Sequence, residues 1–171
     1  IKHKIEKQVQ TVYKRNINLP SGGNIVIDST EALVSIDVNS ARSTKGSDIE
    51  ETALNTNIEA AVEILTQLKL RDIGGLVVID FIDMMSINSQ KNVMRKVAEY
   101  AKKDKAKIQF ARISKFGLME LSRQKLKSSI IQNNYENCPT CDGTGQIKSL
   151  SSLAISVLRI IEEEAINSKN K

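Results

Sequence analysis

Two acidic residues at the ends of apolar runs are the strongest candidates for chemistry in this sequence. In Val34-Ser35-Ile36-Asp37-Val38-Asn39 the apolar and polar residues alternate. In an extended strand, alternation puts Ser35, Asp37 and Asn39 on one face and Val34, Ile36 and Val38 on the other. A second run, Leu76-Val77-Val78-Ile79, ends directly in Asp80. Two carboxylates carried by rigid strands suit Mg²⁺, which binds through one or two protein carboxylates and keeps several of its waters. Asn39 could hydrogen-bond a carboxylate or a metal-bound water and fix its orientation. The plainer reading is that such acids only cap turns or helices. Asp28 and Asp83 look similar and receive no metal role.

The second candidate is Cys138-Pro139-Thr140-Cys141-Asp142-Gly143-Thr144-Gly145. A thioredoxin-type redox pair sits at a helix start, and the Gly-Thr-Gly that follows opposes a helix here. A metal knuckle fits better. Structural zinc takes four ligands, whereas the chain has two Cys and one distant His, His3. A second copy related by a two-fold axis could supply the missing sulfurs. A free or redox-labile thiol pair is the alternative.

The elements that must position these residues follow from periodicity and turn chemistry. Residues 4–14 can form a short helix, and Leu19-Pro20-Ser21-Gly22-Gly23 reads as a turn. The runs 25–27 and 33–38, with a short connection between them, form an antiparallel hairpin. Ser47-Asp48-Ile49-Glu50 has the form of a capping box. It starts a helix reaching about Leu70, with Leu54, Ile58, Ala61, Leu65 and Leu68 on its apolar face. Gly74-Gly75 ends that helix, and 76–79 reads as a strand buried on both faces. Strand, helix, strand is a βαβ unit, so 33–38 and 76–80 run parallel. Both acids then lie at the carboxyl edge of the sheet, where open α/β sheets bind ligands. A helix over 88–103 and a strand over Lys107–Ile113 follow, and Phe116–Leu126, whose pattern fits either helix or strand, is read as strand. Residues 128–137 are loop-like, and a last helix covers about 150–166. Its apolar residues, among them Leu150, Leu153, Ala154, Val157, Leu158 and Ile161, have no evident partner in the chain.

Composition bounds the partners. The chain has 171 residues, 40% hydrophobic and 26% charged, with net charge +5. That describes a folded domain with a small appendage, not a disordered chain. No apolar run approaches the roughly 18 residues of a membrane-spanning helix. The chain, opening on Ile1, reads as an excised, cytosolic piece of a longer protein. Between Lys91 and Lys127 twelve Lys/Arg face three acids, a balance of +9. Such a block suggests a polyanionic partner, with a solvated helix face as the equal alternative. Aromatics are only 4% of the chain, so phosphate contact should outweigh base stacking. Arg42, Lys45, Lys107, Arg112 and Lys115 are the candidate phosphate contacts.

Several of these runs together resemble the ribonuclease E/G family. They are L-P-S-G-G-N-I-V-I-D-S-T-E-A-L-V-S-I-D-V-N-S-A-R at 19–42, D-I-E-E-T-A-L-N-T-N at 48–57 and L-R-D-I-G-G-L-V-V-I-D-F-I-D-M at 70–84. R-I-S-K-F-G-L-M-E-L-S-R-Q-K-L at 112–126 and C-P-T-C-D-G-T-G at 138–145 complete the set. The resemblance implies a DNase I-like α/β core over 19–134, preceded by a connecting helix (1–18). A zinc link (135–147) and the start of a small dimerising domain (148–171) follow. Asp37 and Asp80 match the family's Mg²⁺ ligands, and Asn39 the residue supporting that site. Cys138 and Cys141 match its zinc link, in which two subunits share one ion. The implied activity is cleavage of single-stranded, AU-rich RNA, leaving 5′-phosphate and 3′-hydroxyl ends, in RNA processing and mRNA decay. The reaction would be attack of a metal-activated water on the phosphodiester. The implied assembly is a homodimer through zinc and a homotetramer in the full protein. The implied location is the bacterial cytoplasm, with peripheral attachment to the inner membrane for the full-length protein. A non-catalytic RNA-binding or oligomerising module with an incomplete site is the alternative.

Overall fold

The computed structural model describes residues 11–40, 49–127, 129–130, 136 and 138–169. The chain divides into two units, Ile1–Asn134 and Tyr135–Lys171. The first is a mixed α/β layer. Its strands are β1 (Asn16–Asn18), β2 (Asn24–Ser29), β3 (Val34–Asn39), β4 (Gly75–Asp80), β5 (Ile108–Phe110) and β6 (Leu118–Arg123). Its helices are α1 (Ile49–Leu70) and α2 (Ile87–Ala101). The strands lie in the order β1-β2-β3-β4-β6-β5. β3 and β4 are parallel, and the other neighbouring pairs are antiparallel. The hairpin and the βαβ unit expected from the sequence are both present.

The core lies on one face of this sheet. Ile25, Ile36, Val77, Ile79, Met119 and Leu121 from the strands are buried with Ala60, Ile64 and Leu68 of α1 and Val93 and Val97 of α2. Each fully buried aliphatic side chain of this kind contributes roughly 1.5–3 kcal/mol. The opposite face is open: Ser35, Asp37 and Asn39 of β3 and Leu76 and Asp80 of β4 are exposed. The apolar run 76–79 is therefore not covered on both sides as expected. Its β-branched residues satisfy strand geometry, while only Val77 and Ile79 reach the core.

Helix α1 is rotated from its expected face. Ala61, Leu65 and Leu68 are buried, but so are Ala53, Thr56, Asn57, Ala60 and Ile64, while Leu54 and Ile58 only flank the core. Three alanines on the inner side let the helix approach the sheet closely, which a count of large apolar residues misses. The helix also ends before Gly74-Gly75. Ile73 N–H donates to Leu68 O (2.9 Å) and Asp72 N–H to Lys69 O (3.4 Å), with Asp72 at φ 51°. This is a Schellman closure with an aspartate in the left-handed position. Gly74 serves another purpose, because a Cβ there would lie 2.6 Å from Lys125 Cα.

Strand β1 was not expected, and β5 is shorter than the run 107–113. The expected helix over 4–14 falls mostly outside the described residues, as do Ser47 of the capping box and most of the loop 128–137. The second unit consists of the Cys/Gly turn at 138–145 and helix α3 (Leu150–Lys169). Leu150, Leu153, Val157, Leu158 and Ile161 of α3 are exposed. No helix among the described residues is long and apolar enough to cross a membrane.

Candidate active site

Asp37 and Asp80 are register partners in the parallel β3–β4 pair. Both side chains leave the sheet on its open face, because their neighbours Ile36, Val38 and Ile79 are committed to the core. Asn39, two residues along the same face, donates from Nδ2 to Asp37 Oδ2 at 2.8 Å. Asp37, Asn39, Asp80, Asp83 and Phe116 are among the residues lining an open cleft of about 480 Å³ at the carboxyl edge of these strands.

The carboxylates are not neutralised from within. No ion pair involves Asp37, Asp80 or Asp83 among the described residues. Partial burial, the charge of Asp37 and the charge of Asp83 together hold the Asp80 carboxyl above its ordinary range. Negative charge concentrated this way on rigid backbone invites a cation. Among the described residues no group of three or more His, Cys, Asp or Glu side chains could hold a metal. The donor set is therefore two facing carboxylates and an amide, all hard oxygen or nitrogen groups. Mg²⁺ fits that set, since it binds through one or two carboxylates and retains water.

The segment that follows Asp80 is fixed from three directions. Phe81 N–H donates to Gly117 O at 3.2 Å. The buried Asn57 amide clamps Ile82, donating to its carbonyl (2.8 Å) and accepting its N–H (3.0 Å). Glu50 accepts the N–H groups of Met85 (2.9 Å) and Ser86 (3.1 Å). Hydrogen bonds from Ser89, Met85 and Ser86 hold the Glu50 carboxyl below its ordinary range. Both carboxylate oxygens of Glu50, expected to reach back to Ser47, are thus engaged on the loop after β4. Asn57 went unread in the sequence, and Asp83, which receives no metal role there, lines the cleft with Asp37 and Asp80. An Asn seven residues after a Glu on one helix was the available signal for the pinning face, but nothing local says what it pins.

The basic candidates divide. Arg42 and Lys45 lie outside the described residues. Lys107, Arg112 and Lys115 are all exposed. Lys107 precedes Ile108, which pairs with Arg123, and Arg123 pairs with Gly75. Lys107 is therefore at the end of the sheet away from Asp80. Arg112 and Lys115 lie at the Asp80 end, on the turn that leads into Leu118, the register partner of Asp80. Part of the basic block is structural. Arg123 is 2% exposed and bonds Asp104 (2.9 Å) and Asp72 (3.2 Å). Lys96 and Lys103 both bridge to Glu99. Asp28 is held by a two-point ion pair with Arg15, which accounts for it without a metal.

In the second unit, Cys138 and Cys141 sit in a tight turn. Asp142 N–H donates to Cys138 O (2.8 Å) and Thr144 N–H to Cys141 O (2.9 Å). Asp142, Gly143 and Gly145 all have positive φ. Hydrogen bonds from the Cys141 and Thr140 backbone N–H groups hold the Cys138 thiol below its ordinary value. Helix α3 begins only at Leu150, so neither cysteine is at a helix start. Two soft sulfurs presented by a turn fit half of a four-sulfur zinc site.

A profile described as "Ribonuclease E/G family" matches residues 1–126, and one described as "RNase E/G, Thioredoxin-like domain" matches residues 137–171. Ribonuclease E of Haemophilus influenzae is 54% identical over 99% of this chain and 18% of its own length. Ribonuclease E of Escherichia coli is 54% identical over 96% of the chain and 16% of its own length. Ribonuclease G of Escherichia coli is 34% identical over 92% of the chain and 32% of its own length. The chain thus spans about a sixth to a third of these relatives.

Proposed function

Since this chain belongs to the ribonuclease E/G family, we propose that it supplies the catalytic centre of a Mg²⁺-dependent endoribonuclease acting on single-stranded RNA. The observation that carries this reading is the facing pair Asp37–Asp80, in no ion pair among the described residues and exposed on the open side of the sheet.

Asp37 and Asp80 would hold the Mg²⁺. A Mg²⁺ held there would supply Lewis acidity toward a water and would offset charge on the phosphate oxygens. Asn39 fixes the rotamer of Asp37 through its 2.8 Å hydrogen bond. Asn57 and Gly117 fix the backbone that follows Asp80, so the two carboxylates keep their spacing when the polyanionic substrate arrives. Arg112 and Lys115, exposed at the same end, are placed to meet backbone phosphates without reading sequence. No His lies within these motifs, the one His of this sequence being His3.

The Cys138–Cys141 turn completes the reading as one half of a zinc link. A partner subunit would supply the other two sulfurs, giving a homodimer and, in the longer protein, a homotetramer.

Cleavage of a labelled single-stranded RNA by the full-length protein, titrated with Mg²⁺, tests the reading. Asp37→Asn and Asp80→Asn should each abolish cleavage and spare RNA binding. A binding module would be indifferent to both, and that result would overturn the proposal.

A further inference from the structure

We propose that Phe116 is a stacking platform for one unpaired base of the RNA, beside the phosphodiester to be cleaved. The inference rests on the endonuclease reading above and names a contact through which that site would select its substrate.

The aromatic rings of the first unit are otherwise engaged. Phe81 is buried. Phe110 packs against the core. Tyr100 is half-buried there too and lies beneath the Lys96 and Lys103 ammonium groups, 5.2 and 3.8 Å from its centroid. Tyr13, 37% exposed, does not line the cleft. Phe116 is 73% exposed and lines the cleft with Asp37, Asn39, Asp80 and Asp83. A phenyl ring left in water on a charged rim loses the hydrophobic stabilisation that burial would give it.

The backbone that carries the ring is held in place. Phe116 N–H donates to Ser114 Oγ (3.2 Å). Gly117 N–H donates to Ser114 O (3.1 Å) and Ser114 N–H to Leu118 O (2.8 Å). Gly117 takes φ +79°, and a Cβ there would approach Phe81 O and Asp83 Oδ1 to 3.2 Å. Through its own carbonyl, Gly117 accepts the Phe81 N–H. The platform is thus coupled to the residue directly after Asp80. Lys115 Nζ stands 5.8 Å from the ring centroid, close enough to meet a phosphate flanking a stacked base. Phenylalanine has no hydrogen-bonding group, so the contact tolerates any base but needs an exposed base face. A base paired in a duplex offers none, and the site would therefore favour unpaired RNA.

The test uses the full-length protein and short single-stranded RNAs carrying 2-aminopurine at each position around the cleaved bond in turn. Binding should quench the fluorescence at one position for the unaltered protein and for Phe116→Trp, but not for Phe116→Leu or Phe116→Ala. Both non-aromatic variants should lose roughly 10-fold or more in kcat/KM, as expected when one base–aromatic contact is removed. An abasic nucleotide at the quenched position should cost the unaltered protein the same factor and cost Phe116→Ala nothing further. Equal quenching and equal kcat/KM for Phe116→Leu would overturn the stacking proposal while leaving the endonuclease reading intact. Cleavage that survives Asp37→Asn and Asp80→Asn would remove both.

Discussion

Asp37 and Asp80 stand opposite each other at the carboxyl ends of two parallel strands, and the Asn39 amide holds Asp37 from one side. Parallel pairing fixes their spacing through backbone hydrogen bonds, so it does not depend on a flexible loop.

Asn39→Ala removes the hydrogen bond to Asp37 but no carboxylate. Groups that orient metal ligands typically matter by about 10–100-fold in metal affinity or activity. The expected result is a loss of that size in cleavage, partly recovered at high Mg²⁺, with a thermal midpoint close to that of the unaltered protein. Rates measured across a Mg²⁺ series check it; an unchanged Mg²⁺ dependence would remove Asn39 from the site.

Asn57→Leu deprives the backbone N–H and carbonyl of half-buried Ile82 of their side-chain partner. Each buried group left unsatisfied costs about 1–3 kcal/mol. Urea denaturation should show a loss within or above that range, and cleavage should fall as the segment after Asp80 loosens. Asn57→Asp keeps the acceptor for the Ile82 N–H and should retain more of the stability.

Gly23 has no space for a side chain, since a Cβ would lie 2.5 Å from the carbonyl oxygen of Asn39 and 3.0 Å from Thr56 Cγ2. Gly23→Ala must therefore push on the β3 backbone at Asn39. Overpacking of this kind costs about 1–3 kcal/mol. Activity should drop although no site residue is altered, and Gly23→Ala combined with Asn39→Ala should lose less than the two separate losses together.

Arg123 and Asp104 form a buried pair, 2% and 5% exposed. Removing one partner of such a pair costs about 3–5 kcal/mol. Asp104→Ala should destabilise the first unit by that order in chemical denaturation. Burial opposes ionisation of Asp104, but hydrogen bonds from Arg123 and the Ala106 N–H outweigh it, and the carboxyl ionises below its ordinary value. A depressed folded-state value means this stabilisation is fully present above roughly pH 4 and is lost as pH falls further. In Asp104→Ala the fall in stability below pH 4 should be shallower.

Chelation tests the zinc proposal. Native mass spectrometry of the full-length protein should show an even-numbered assembly that dissociates after a strong chelator is added. Cys138→Ser with Cys141→Ser should give the dissociated form without chelator. An assembly whose mass is the same in all three samples would exclude a shared zinc.

What the sequence by itself determined is what depends on nearest neighbours along the chain. Alternation at 34–39 separates Asp37 and Asn39 from Val34, Ile36 and Val38 and leaves only one face for the acids. A short connection after Ile27 makes a hairpin, and a long helix between two strands makes them parallel. The cysteine turn followed by a helix needs only Gly, Thr and an apolar period. Tertiary structure decided the rest, because pairing and burial depend on residues far apart in the sequence. The run 76–79 is apolar throughout, but whether both of its faces are covered depends on where α1 and α2 pack, and one face is open. Arg123 looks like any cation of the basic block until Asp72 and Asp104, 51 and 19 residues away, close around it. Phe116 joins the cleft only because β6 pairs with β4 and returns the 114–117 turn to the end of Asp80. Lys107 and Lys115 are equivalent by composition, and the antiparallel register of β5 and β6 sends them to opposite ends of the sheet.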